Sequence, residues 1–142
     1  MNVAAILKTK GGAVVTAKPD DTLKDIAMQL AAKRIGAIVI VGARGQVEGI
    51  LSERDIVRAV ADRGAACLPE TASRAMTREV ITCSPADSVD HLMQTMTTGR
   101  FRHVPILENG QLVGIVSIGD VVKHRIAEVE EEASALKSYL VS

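Results

Sequence analysis

Two stretches of the chain carry residue types that could hold a ligand, and they share one pattern. Gly49-Ile50-Leu51-Ser52-Glu53-Arg54-Asp55-Ile56-Val57 and Gly114-Ile115-Val116-Ser117-Ile118-Gly119-Asp120-Val121-Val122 both read Gly, two apolar residues, Ser, two variable residues, Asp, two apolar residues. In each, an apolar run ends at Ser and a helical pattern follows. Ser therefore stands at an N-cap and Asp falls in the first helical turn. A carboxylate there can accept hydrogen bonds from a ribose diol, and free helix N–H groups favour a phosphate. The glycine leaves room for a ligand to approach the backbone. The same Ser-x-x-Asp spacing is close to a capping box, which requires no ligand. For one copy alone that is the simpler reading, and the duplication turns the balance toward a site.

The duplication extends well beyond these turns. Val80-Ile81-Thr82 matches Val14-Val15-Thr16 at a shift of 66 residues, and Pro85, Asp87 and Ser88 match Pro19, Asp21 and Thr22. Arg100 matches Arg34 and Ile106 matches Ile40; one residue is then lost at a turn, and Ser117 and Asp120 match Ser52 and Asp55 at a shift of 65. Such self-similarity marks a structural repeat.

Hydrophobic periodicity supplies the elements that position the turns. Met1 to Lys10 reads as a short helix or an arm, broken by Gly11-Gly12. Val14 to Thr16 reads as a strand. Leu23, Ile26, Ala27, Leu30 and Ala31 fall on one helical face, capped by Asp21 or Thr22 and ended by Gly36. Ala37 to Val41 and Val47 to Leu51 read as strands, and Ile56, Val57 and Val60 as a second helix. The unit is β-α-β-β-α, and the second copy repeats it from Val80. The expected division is repeat 1 over 3–63, a linker over 64–72, repeat 2 over 73–127 and a C-terminal helix over 128–142. The expected fold is α/β, with two small units packed by pseudo-two-fold symmetry, because neither is large enough to bury a good core alone. Met28, Met76, Met93 and Met96 are read as core residues. Val122, Ile126, Val129, Ala133, Leu136 and Leu140 are spaced 4, 3, 4, 3 and 4 apart, a heptad-like seam on an amphipathic helix. That seam either packs on its own domain or makes a homodimer.

Composition excludes several classes. The chain has 142 residues, 47% hydrophobic and 24% charged, with 17 basic and 17 acidic residues. Zero net charge argues against a nucleic-acid surface. Phe101 and Tyr139 are the only aromatic residues, so a bound base is expected between aliphatic side chains. Cys67 and Cys83 form no disulfide framework, and His91, His103 and His124 show no metal-ligand spacing, so no metal is expected. No membrane span or signal segment is expected, and the cytoplasm is the expected location. No Walker-type loop or activated nucleophile is present in the sequence, so no catalytic residue is assigned and the protein is not expected to be an enzyme.

The β-α-β-β-α order, the two Gly-x-x-Ser-x-x-Asp turns, Arg102-His103-Val104-Pro105-Ile106 and Ala75-Met76-Thr77 together resemble a tandem pair of CBS domains, the family named after cystathionine β-synthase. The likeness runs from about Val3 to Lys123. The resemblance implies a regulatory module that binds an adenosine nucleotide, AMP first, with ATP, ADP or NAD(H) as alternatives. It implies that Asp55 and Asp120 hold ribose hydroxyls, with Ser52 and Ser117 near ribose and phosphate. Thr16 and Thr82 would meet the base, Ile38 would belong to the first pocket, and Val104 and Pro105 would wall the second. Arg102, His103 and Arg54 would lie near phosphates. The first repeat has Gly36-Ala37-Ile38-Val39 where the second has Arg102-His103-Val104-Pro105, so it lacks that proline and that basic pair. The resemblance also implies a flat homodimer and an unidentified regulated protein partner. Alternatives are a structural dimerisation module with degenerate pockets, or an accessory subunit of a nucleotide-regulated enzyme.

Overall fold

Two β-hairpins carry the architecture. In the computed structural model, which describes residues 1–11 and 14–141, they are β2 (Ala37–Val41) with β3 (Val47–Ser52), and β4 (His103–Glu108) with β5 (Gln111–Ser117). Asn109 and Gly110 close the second hairpin with φ of 52° and 78°, the two-residue geometry that Asn-Gly favours. The first hairpin uses a longer loop through Gly45, which accounts for the one-residue loss between the repeats. Each hairpin runs directly into a helix, α3 (Glu53–Arg63) or α6 (Ile118–Val141). The remaining elements are α1 (Val3–Lys10), β1 (Thr16–Ala17), α2 (Leu23–Lys33), a 3-10 turn (Gly64–Cys67), α4 (Ala72–Ala75) and α5 (Val89–Gly99).

The repeat is visible in pairing detail. Ala17 pairs in parallel with Ile40, and Cys83 pairs in parallel with Ile106, 66 residues further on. Arg34 and Arg100, also 66 apart, end α2 and α5 in the left-handed conformation. Arg34, not Gly36, therefore terminates α2. The expected strand Val80-Ile81-Thr82 does not form; only Cys83 pairs with β4. The β-branched residues there face a half-open surface, which is the setting that strand propensity measures even without a ladder.

The halves exchange their lead-in segments. One core gathers Leu23, Ile26, Leu30, Ile38, Ile40 and Leu51 with Cys67, Ala72 and Met76. The other gathers Leu92, Met96, Val104, Ile106, Val116 and Val121 with Val3 and Ile6 of α1. The segment 64–72, expected as a linker, holds the 3-10 turn, and its Cys67 and Ala72 belong to the core of the first half. Its backbone docks on the start of α2, where Glu70 and Leu68 carbonyls accept from Leu23 and Lys24 at 2.9 and 3.0 Å. The start of α1 docks on α5 in the same way, through the Met1 carbonyl and the Val89 N–H. Gly12 and Ala13 lie outside the described residues.

Two expectations are corrected by this packing. The motif glycines make room for protein rather than for a ligand. A Cβ on Gly49 would meet Met76 Sδ at 2.6 Å and the Thr77 carbonyl at 2.8 Å, and one on Gly114 would meet Leu7 at 2.5 Å. Of the methionines read as core, Met76 and Met96 are buried, but Met28 and Met93 are exposed on the outer helix faces. Among the described residues, no helix is long and apolar enough to cross a membrane.

Candidate functional site

Both Ser/Asp turns fold as capping boxes. Ser52 accepts from the Asp55 N–H at 3.3 Å, and Asp55 Oδ2 accepts from the Ser52 N–H at 2.9 Å and the Ser52 hydroxyl at 3.1 Å. Ser117 and Asp120 repeat this at 3.1 and 2.8 Å. The N–H groups of Glu53 and Ile118 donate to the Gly36 and Arg102 carbonyls. The Arg54 N–H has no partner among the described residues, which leaves a donor at the helix mouth.

The turns open onto one cleft of about 430 Å³ between the halves. Ser52, Arg54, Asp55, Arg102, His103 and Ser117 of the candidate set line it. It also contains Arg58, Arg100, Glu53 and Glu79, and an apolar side made by Val80, Ile81, Phe101 and Ile118. Four arginines and three acidic residues, Glu53, Glu79 and Asp55, are among the lining residues, an excess of positive charge that suits an anion. Oδ1 of Asp55 accepts no hydrogen bond among the described residues, so capping leaves one carboxylate oxygen free for a hydroxyl donor.

The other candidates lie elsewhere. Ile38 and Val104 are fully buried, one in each core. Pro105 is buried in β4 and does not line the cleft. Thr16 sits in a shallower hollow beside the hairpin loops, with Gln46 and Gly110. Thr82 is exposed and outside the cleft; Val80 and Ile81 take the wall instead, because pairing starts only at Cys83. Asp120 is also outside the lining. Its Oδ2 accepts from Lys10 Nζ at 2.7 Å, and the same ammonium donates to the Ile115 carbonyl at 2.6 Å. Lys10 thus does for Ile115 what the Thr77 N–H does for Ile50 at 3.0 Å. Burial pushes the Asp120 carboxyl up, but the bonds from Lys10 and Ser117 outweigh it and hold the pKa below the usual carboxylate value.

Gly36 explains the missing basic pair of the first repeat. A Cβ there would lie 3.1 Å from His103 Nε2, so the glycine accommodates the imidazole of the other half and one basic pair occupies the shared centre. Burial, then Lys10 and Arg102, push the His103 pKa down against the opposing pull of Glu53 and Asp120. The native protein therefore resists a proton that the unfolded chain accepts. Stability is expected to fall as pH drops below about 6.5, the ordinary histidine value, and to level off once native His103 titrates. Urea unfolding across pH 7 to 5 checks this: His103→Gln should flatten the slope. An unchanged slope would place its origin in another group.

Phe101 is the residue least visible in the sequence. Its ring packs over Gly99, where a side chain would collide with it, and this brings an aromatic residue into a cleft expected to be aliphatic. Its sequence signal is the helix end just before it, Gly99 closing α5 and Arg100 as its cap.

Comparison with known proteins agrees with this architecture. A family model described as the CBS domain matches residues 5–62 and 72–127. The crystal structure of the CBS-domain containing protein ATU1752 from Agrobacterium tumefaciens is 51% identical, with a TM-score of 0.85 over 88% of this chain and 99% of that one. The CBS domain pair of protein MJ0100, in complex with 5′-methylthioadenosine and S-adenosyl-L-methionine, is 27% identical with a TM-score of 0.81 over 90% and 98%. The CBS domain protein PAE2072 from Pyrobaculum aerophilum, complexed with AMP, is 30% identical with a TM-score of 0.76 over 84% and 89%.

Proposed function

The chain belongs to the CBS domain family, and on that footing we propose that it is a regulatory module binding a phosphate-bearing adenosine ligand, AMP first, in the cleft between its repeats. The observation that carries this is the convergence of Asp55, the open N-terminus of α3 and four arginines on one cavity of about 430 Å³. That volume lies in the usual range for small-ligand sites, roughly 300–1,000 Å³. In this reading Asp55 Oδ1 accepts the ribose hydroxyls. The phosphate lies toward Arg54, Arg58 and Arg102, and the base lies against Val80, Ile81 and Phe101. Similar proteins in complex with AMP and with S-adenosyl-L-methionine support the adenosine class. The arginine excess favours an anionic ligand over the cationic sulfonium. Occupancy would tie Ser52 and Asp55 of one half to Val80 and Ile81 of the other, so ligand binding would act by fixing the two halves together.

A thermal-unfolding series with AMP, ATP, 5′-methylthioadenosine and S-adenosyl-L-methionine tests the reading. AMP should protect most, by about 2.7 kcal/mol at 100 times its dissociation constant. Protection by S-adenosyl-L-methionine alone would reject the anionic assignment while leaving an adenosine site. Protection by none would favour a purely structural module.

The exposed seam on α6 supports a homodimer. Val122, Ile126, Val129, Leu136 and Leu140 are each at least half exposed, an apolar stripe of the kind that marks an interface. Sedimentation of the full chain should give a dimer, and Val129→Glu with Leu136→Glu should give monomers. A monomeric full chain would refute the dimer, and a dimer that survives the substitutions would move the interface off α6.

A further inference from the structure

The second repeat gathers three metal-ligand side chains that the cleft does not use. One donor atom each from Cys83, Asp87 and His91 lies within 4.8 Å of the others. We infer that these residues form a site for a thiophilic divalent cation of the zinc class, with water completing the coordination. The three residues are spaced four apart in the sequence but come from three different elements: the bridge beside β4, the turn before α5, and the first turn of α5.

Each ligand is held by bonds independent of any metal. The Cys83 N–H donates to the Pro105 carbonyl at 3.1 Å, and its own carbonyl accepts from Leu107 at 2.8 Å. Asp87 Oδ2 accepts from the Ser84 N–H at 2.8 Å, which leaves Oδ1 for a cation. The His91 N–H donates to the Ser88 hydroxyl at 3.0 Å, so the imidazole is free of the capping role. Cys83 is 5% exposed, Asp87 half-buried and His91 exposed, so the cluster runs from the core to solvent. A mixed sulfur, nitrogen and oxygen set selects zinc-like ions over magnesium or calcium. Three protein ligands and one open position are the arrangement of an exchangeable rather than a closed structural site. On binding, the cation would displace the Cys83 thiol proton, which leaves to solvent.

The first repeat is an internal control. At the corresponding positions it has Ala17, Asp21 and Asp25. Asp21 closes the same turn, accepting from the Lys18 N–H at 2.9 Å, and Ala17 is equally buried. The turn therefore folds without sulfur or imidazole, and only the second repeat carries the two soft donors.

The test is titration of the reduced full chain with Co²⁺, followed by competition with Zn²⁺. One equivalent should bind with a thiolate-to-cobalt charge-transfer band and four-coordinate d–d absorption, and Zn²⁺ should displace it. Cys83→Ala and His91→Asp import the residues that the first repeat already uses, so the fold should survive, as circular dichroism would report. Cys83→Ala should remove the charge-transfer band. Each substitution should weaken binding by at least about 10-fold, the smallest loss common even for outer ligand partners. Cys67→Ala should change neither. A cobalt spectrum without thiolate character, affinity unchanged in both variants, or no saturable binding would overturn the site.

Discussion

Asp55→Ala is expected to weaken AMP binding on the order of 100-fold. Two hydroxyl bonds to the free Asp55 oxygen would contribute roughly 1.5 kcal/mol each, and about 1.4 kcal/mol is tenfold in affinity. The substitution also removes half of the capping box, which costs about 1 kcal/mol of stability. A domain with ordinary stability of about 5–15 kcal/mol remains folded after that loss. Asp120→Ala is the contrasting variant. Asp120 makes the equivalent cap but is outside the cleft lining and is held by Lys10. It should lose a similar amount of stability and leave AMP affinity within about threefold of wild type. Calorimetric titration of both variants, with urea unfolding of each, separates capping from ligand contact. Equal AMP affinity in folded Asp55→Ala and wild type would leave Asp55 as a cap alone.

Gly49→Ala is expected to destabilise the fold by about 2–3 kcal/mol, the upper end for overpacking. The obstructing atoms decide the size. Met76 Sδ at 2.6 Å can swing away, but the Thr77 carbonyl at 2.8 Å cannot. That carbonyl and the Thr77 N–H each bond Ile50 at 3.0 Å, so moving it breaks the bridge that ties the second lead-in to the first half. Gly114→Ala meets only the Leu7 side chain and should cost about 1 kcal/mol, at the lower end of the same scale. Denaturant midpoints at constant m-value give both numbers. Native stability in Gly49→Ala combined with weaker AMP binding would restore the glycine to the ligand.

What the sequence makes legible is local or repeated. Helical periods, hairpins and the Ser/Asp turns each depend on residues a few positions apart, and the copy 66 residues on checks each reading independently. The exchanged lead-ins are non-local. No pattern in Val3 and Ile6 says that they fill the core built around Leu92 and Ile106, so the sequence alone points the motif glycines at a ligand instead of at Leu7 and Met76. Lys10 reaching Asp120 is invisible for the same reason. Val80 and Ile81 have strand-like residue types but only Cys83 finds a partner, and the unpaired pair becomes a cleft wall. Thr16 and Thr82, which the resemblance sets near a base, are not among the residues lining the cleft; Thr16 lines the hollow beside the hairpin loops and Thr82 is exposed. Arg102 and His103, which the resemblance sets near a phosphate, are among the lining residues of the cleft, but the burial that lowers the His103 pKa is not visible in composition.

The most direct measurement for the central claim is calorimetric titration of wild-type protein with AMP at low and high salt. Saturable binding at one equivalent per chain is expected, because both Ser turns open onto one cleft with a single basic pair. Weaker binding at high salt is expected as well, because the proposed phosphate site is made of arginines. Absence of saturable AMP binding, or binding indifferent to salt, would contradict that claim.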